Sequence, residues 1–185
     1  MSDDEYFEFC ASNPDIRYER KANGEIFITP PGGGESDFRC LDLAANLFLW
    51  SRLKRKGKVF GATAAFILPS GAVYSPDAAW VSNGRLGKLT PEQRRKFLKA
   101  IPEFVAEVMS PSDRLKAAQA KMAEWMTNGV DLGWLLDGDS ETVYVYRAGK
   151  PDPEIVTGAA KLSGEGPIEG FELDLVEIWE GLSLL

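Results

Sequence analysis

One carboxylate inside an otherwise apolar run constrains this chain most. The run Phe104-Val105-Ala106-Glu107-Val108-Met109 has the length and the aromatic, β-branched content of a short buried strand, with Glu107 near its middle. An ionised carboxylate there is costly to desolvate unless it is paired, hydrogen-bonded or bound to a cation. The fold must therefore bring Glu107 a partner, in the simplest case a nearby lysine or arginine. Strand alternation puts Val105, Glu107 and Met109 on one face, so a strand edge or an opening in the sheet would present the carboxylate to a cleft.

The chemistry available is narrowed by what the 185 residues lack. There is no histidine, which removes Ser–His and Cys–His nucleophiles, an imidazole general base and imidazole zinc sites. Catalysis would rest on carboxylates, amines, hydroxyls or metal-bound water. Cys10 and Cys40 are isolated thiols without CxxC spacing, expected as free cysteines in a reducing compartment. The acidic start Met1-Ser2-Asp3-Asp4-Glu5 is unlike a signal peptide, and no apolar run is long enough for a membrane span. A cytoplasmic protein with no membrane contact is the expectation.

The chain reads as one α/β domain over residues 1–185, with no internal repeat and no second-domain linker. A short helix is expected from Asp3 to Cys10. Strands over Ile16–Arg20 and Glu25–Thr29 would form a hairpin around Asn23-Gly24, and Pro30–Gly34 reads as a flexible linker. Leu41, Ala44, Ala45, Phe48, Leu49 and Leu53 recur at three- and four-residue spacing, predicting an amphipathic helix from Asp37 to near Gly57 with these residues on its apolar face. Two neighbouring β runs follow, Val59–Leu68 and Val73–Val81, then a polar helix from about Pro91 to Ala100. After the Glu107 strand, Ser110–Asp113 should cap a helix whose Leu115, Ala118, Met122, Trp125 and Met126 face the core. Strands Leu132–Leu136 and Thr142–Arg147 come next, and the segment from Lys150 is Pro/Gly-punctuated and acidic.

Asp77 stands thirty positions before Glu107, in a strand-like run after Pro76. Two carboxylates on adjacent strands make a hard-oxygen site suited to magnesium, which takes one or two carboxylates and keeps waters. Lys121 lies about 60° to one side of Ala118 in helical projection, at the border of the buried face. From there an ammonium could reach a cluster at the strand ends. Trp125, Trp134 and Tyr144 read as core aromatics.

At these residues the chain resembles the Uma-two family of restriction endonucleases, within the PD-(D/E)XK nuclease superfamily. The resemblance covers about residues 16–150, through Arg17-Tyr18-Glu19 with Asn23-Gly24, Val59-Phe60-Gly61, Pro76-Asp77, Val105-Ala106-Glu107-Val108-Met109-Ser110-Pro111-Ser112, Lys121 and Gly133-Trp134-Leu135-Leu136-Asp137. It implies a restriction-endonuclease-like fold, a central mixed β-sheet flanked by helices, with a metal-dependent phosphodiesterase site. It also implies Asp77 and Glu107 as metal-binding acids, the Val108 carbonyl as a further ligand, Lys121 as the site lysine and Glu19 as an assisting carboxylate. The metal would be Mg2+, with Mn2+ as a substitute. Two departures stand out: Met109 occupies the position where the superfamily most often has lysine, and Glu35-Ser36-Asp37-Phe38-Arg39-Cys40 contains no histidine where the family often has one.

The net charge of −7 argues against coating a polyanion with the whole surface. Residues 51–121, however, carry 14 Lys/Arg against 5 Asp/Glu, a balance of +9 set against −16 elsewhere. A nucleic acid partner, DNA above all, would be met through this region. Cutting both strands of a duplex calls for two sites and hence a homodimer. The competing expectation is a nuclease-fold binding module without competent chemistry. A paired-carboxylate glycosidase comes third, since no apolar sugar cleft is identifiable.

Overall fold

The computed structural model describes residues 1–183. Its first element is fixed locally: Ser2 and Glu5 form a reciprocal capping box that starts helix α1 (Asp3–Ala11). A hairpin of β1 (Tyr18–Arg20) and β2 (Ile26–Ile28) follows, and Gly24 in its turn has φ of 85°, which favours glycine. Helix α2 (Gly34–Lys54) then leads through β3 (Gly57–Gly61), β4 (Phe66–Ile67), β5 (Val73–Tyr74) and β6 (Ala78–Ser82) to the short helix α3 (Asn83–Leu86). After β7 (Phe104–Val108) come α4 (Leu115–Thr127), β8 (Leu132–Asp137), β9 (Thr142–Arg147), β10 (Glu154–Thr157), β11 (Lys161–Ser163), β12 (Glu172–Asp174) and α5 (Leu175–Glu180).

Six strands form a mixed sheet in the order β10-β9-β8-β7-β6-β3; β7 and β8 run parallel, joined by α4, and the remaining pairs are antiparallel. A smaller sheet has the order β2-β1-β5-β4, and β11 pairs with β12 alone. The mixed sheet flanked by helices is the architecture expected from sequence. Its central strands divide their side chains by parity. Phe104, Ala106 and Val108 join Leu132, Trp134 and Leu136 on one face, packed against Leu43 and Leu47 of α2, the β11–β12 ribbon and α5. Val105 and Leu135 point the other way, into Met122 and Trp125 of α4 and Phe66 and Tyr74 of the smaller sheet.

Four sequence expectations are corrected. The face of α2 that enters the core carries Leu43 and Leu47, while Leu41, Phe48, Leu49 and Leu53 are exposed. Helix α2 has apolar residues on two sides, and periodicity alone does not say which side meets the sheet. The two β runs are each broken between sheets: β3 and β6 pair in the larger sheet, β4 and β5 in the smaller. The polar helix over 91–100 shrinks to a 3-10 turn at Gln93–Arg95. Thr90 and Gln93 do cap each other, but the chain then extends so that the Leu98 amide donates to the Ala65 carbonyl and the Leu98 carbonyl accepts from Ile67. Pairing with β4 overrides local helical preference. Finally, Asp113 accepts from the amide and hydroxyl of Ser110 rather than capping α4, so it closes the turn that leaves β7.

Helix α4 lies close against the sheet at Gly133, where a Cβ would stand 2.5 Å from Met122 Cε and 3.3 Å from Met126 Sδ. Met122 Cε is the far end of a flexible side chain, but Met122 is fully buried, so it must move within the packed core. Gly133→Ala should therefore destabilise the fold by about 1–3 kcal/mol through overpacking, read as a lower urea midpoint. A change below about 0.5 kcal/mol would show that α4 tolerates displacement.

Candidate active site

The chain crosses from the smaller sheet to the larger one through Ser75-Pro76-Asp77, between β5 and β6. The register of β6 against β7, Ala78↔Ala106 and Ala79↔Val105, continued by one residue sets Asp77 opposite Glu107. The two acids chosen from sequence thus stand on neighbouring strand ends. The Val108 amide donates to Asp77 Oδ2 at 2.7 Å, which ties the aspartate to the residue after Glu107.

The same register sets Pro76 opposite Val108. A residue in a strand turns its N–H and C=O to the same side, so the Val108 carbonyl faces the Pro76–Asp77 segment along with its amide. Proline has no amide hydrogen to give that carbonyl. Pro76 therefore ends the ladder at β6 and leaves a backbone oxygen beside Asp77 without its ladder donor. A Pro-Asp pair that carries little information alone acquires a physical role at this strand end.

Lys121 comes from the middle of α4. Its Nζ is 3.0 Å from Glu107 Oε1 and 3.2 Å from Glu19 Oε1, and it lies over the Tyr74 ring at 5.5 Å from the centroid. Glu19, central in β1, is 5% exposed, and its Oε1 also accepts from the Ser75 amide at 2.8 Å. One helical turn beyond Lys121, Trp125 Nε1 donates to Glu107 Oε1 at 3.0 Å. All four side chains selected from sequence, Glu19, Asp77, Glu107 and Lys121, converge with Val108. Trp125, Tyr74, Ser75 and Cys40 were not selected. Trp125 reads as core, and it is fully buried, but its i, i+4 relation to Lys121 was the available clue to its second role.

The electrostatics follow from three carboxylates around one ammonium. Burial, reinforced by Asp77 and Glu19 and opposed by Lys121, pushes the Glu107 carboxyl up to about 8. Burial also raises Asp77, against the Val108 hydrogen bond and the charge of Lys121. Lys121 is held above its ordinary range by Glu107, Glu19 and Asp77, which together outweigh its burial. The Cys40 thiol lies beside Asp77, and burial together with that carboxylate raises it strongly, so it stays protonated.

This donor set fits a hard divalent cation. Glu107 Oε1 is occupied by Lys121 and Trp125, whereas Oε2 takes no hydrogen bond among the described residues. Asp77 uses Oδ2 on Val108, and the Val108 carbonyl lacks a ladder donor. No three acidic, cysteine or histidine side chains among the described residues enclose a point by themselves. An ion here would be held by two carboxylates and a carbonyl, with water completing its shell, as magnesium prefers.

A mixed sheet flanked by helices, with two acids on adjoining strand ends and a lysine on the next helix, is the arrangement that the resemblance to restriction endonucleases implies. The comparisons agree: the family of proteins described as "Putative restriction endonuclease", Uma2, matches residues 3–176, and the chain belongs to that family. Its fold is similar to the crystal structure of a "putative nuclease" from Anabaena variabilis, with a TM-score of 0.76 and 17% identity over 91% of this chain and 92% of that one. No curated protein matches by sequence.

Proposed function

We propose that the protein is a magnesium-dependent endonuclease that hydrolyses phosphodiester bonds in DNA. The observation that carries this reading is the convergence of Asp77, Glu107, the Val108 carbonyl and Lys121 at one end of the central sheet. The family description and the description of the Anabaena protein as a nuclease support the reaction class.

Asp77 and Glu107 would hold the cation with the Val108 carbonyl, and Glu19 would keep Lys121 positioned. A cation held there would lower the pKa of a coordinated water and offset charge on the phosphate. The Lys121 ammonium, fixed between two carboxylates, would orient the attacking water and offset developing negative charge. Trp125 and Lys121 hold one oxygen of Glu107, which leaves the other to the ligand side.

The basic residues divide by position. Lys54, Arg55, Lys56 and Lys58 cluster at the end of β3 that pairs with Ser82, whereas Asp77 lies beyond the opposite end, near Gly61. The strand length between those ends is roughly 13 Å. Lys96 and Lys99 are paired with Asp4 and Asp3 of α1, which removes them from the free positive charge. Exposed Arg114 and Lys116 stand at the start of α4, beyond the turn that leaves β7 after Glu107 and Val108, and would be the better placed to meet a phosphate backbone at the site.

Incubation of supercoiled plasmid with Mg2+ or Mn2+ tests the reading, with wild type beside Asp77→Ala and Glu107→Ala. Cation-dependent nicking lost in both variants is expected. Equal activity in all three proteins, or activity that survives chelation, would overturn the assignment. Calorimetric binding of Mn2+ that yields no cleavage of DNA or RNA would identify a binding module instead.

A further inference from the structure

The outward face of α2 points to a second copy of this chain. Leu53 is 84% exposed, Leu41 65%, Leu49 62% and Phe48 46%, all on a helix whose opposite side already fills the core with Leu43 and Leu47. Positions 38, 41, 45, 48 and 52 follow the alternating three–four spacing by which one helix packs along another. Ala45 sits at the middle of this stripe, and a small residue there permits close approach.

Charge says which partner fits. Asp37 lies near the N-terminal end of the stripe and Arg52 near its C-terminal end; both are exposed, and neither has an ion-pair partner among the described residues. They are fifteen residues apart, about 22 Å along the axis. Two copies of α2 related by a two-fold axis near Ala45 run antiparallel. Asp37 then meets Arg52 of the partner subunit at each end while Leu41 packs by Leu49 of the partner subunit. A parallel arrangement would set like charges together at both ends. The stripe is thus self-complementary in the isologous sense that a two-fold dimer requires.

We propose that the protein forms a two-fold homodimer through antiparallel pairing of α2. The inference does not depend on the reaction proposed above. A helix of this length offers a contact at the low end of specific interface sizes, so the association should be weak and concentration-dependent.

Sedimentation velocity of the full chain over about 1–100 µM, the range that brackets weak association, reads the outcome. The expected mass rises from 20.4 kDa towards twice that value. Leu41→Glu with Leu49→Glu should keep the protein monomeric throughout, with unchanged circular dichroism and melting temperature because both side chains are exposed. Asp37→Arg and Arg52→Asp should each weaken the dimer about tenfold, and the two together should restore it. That rescue is independent of any general loss of folding. A monomer at all concentrations overturns the proposal, as does a dimer that the leucine variants leave intact. Flotation of monomer with anionic vesicles through the same leucines overturns it in favour of a membrane surface.

Discussion

Asp77→Asn and Glu107→Gln should each slow cation-dependent nicking of plasmid DNA by about 10³-fold, equivalent to roughly 4 kcal/mol of transition-state stabilisation. The argument lies in what each amide keeps. Glutamine at 107 can still accept from Trp125 and Lys121, and asparagine at 77 can still accept from the Val108 amide, so the local geometry survives. What is lost is one negative charge facing the cation. Because the two acids act on the same ion, their effects should not add: the double variant should be about as slow as either single one. Lys121→Arg should retain the charge yet lose much of the rate, since a planar guanidinium cannot occupy the point between Glu19 and Glu107 that the ammonium fills. Initial rates in Mn2+ measure all four variants. Losses below about tenfold in both single variants would remove these carboxylates from the chemistry.

The site was legible in the sequence where burial made a residue anomalous. Glu107 stood out because a charge in an apolar strand demands a partner, and the structure supplies Lys121 and Trp125. Lys121 was legible as the flank of an amphipathic helix. Asp77 and Glu19 are different: Pro-Asp commonly marks a turn and an alternating hairpin exposes every second residue, so Asp77 rests on its strand-like run together with the resemblance, and Glu19 on the resemblance alone. By strand alternation a glutamate at position 19 suits the wet face of a hairpin, yet the hairpin folds onto β5 and buries it. Cys40 carried no signal, since its closeness to Asp77 depends on how α2 is rotated against the sheet.

That rotation was the least legible feature of the fold. The apolar residues of α2 lie on two sides, and the spacing in sequence selects Leu41, Phe48 and Leu49 as readily as Leu43 and Leu47. Charged residues did not decide it either, because Arg39 is buried, donating to the Ile178 carbonyl and pairing with Glu35 and Asp139. A buried arginine on the core side and exposed leucines on the outer side invert the ordinary expectation. In the segment 91–100 a local signal loses to pairing: reciprocal capping of Thr90 and Gln93 begins a helix, but propagation there competes with the Leu98 bonds to Ala65 and Ile67.

Lys121→Met should destabilise the metal-free protein by about 3–5 kcal/mol at pH 8.5, and by distinctly less at pH 5. Lys121 is the only cation in direct contact with Glu107 and Glu19 among the described residues. Its removal leaves carboxylates buried without compensation. The pH dependence follows from the direction of the Glu107 shift. A carboxyl whose folded pKa is raised, here from 4.5 to about 8, contributes its stability in full below its unfolded pKa, and that contribution is lost as pH rises through the folded value. At pH 5 Glu107 is therefore neutral in the folded state, and the variant forgoes chiefly the Glu19 pair. At pH 8.5 Glu107 must ionise beside Asp77 and Glu19, and without the ammonium its pKa climbs further, so the loss deepens. Urea unfolding in the presence of chelator at the two pH values measures the difference. Glu107→Gln should show the reverse, gaining stability over wild type at pH 8.5 because it removes the buried charge and keeps both hydrogen bonds. A Lys121→Met penalty equal at both pH values would place the Glu107 pKa near its ordinary range, and the carboxylate cluster would then cost the fold nothing that a cation could relieve.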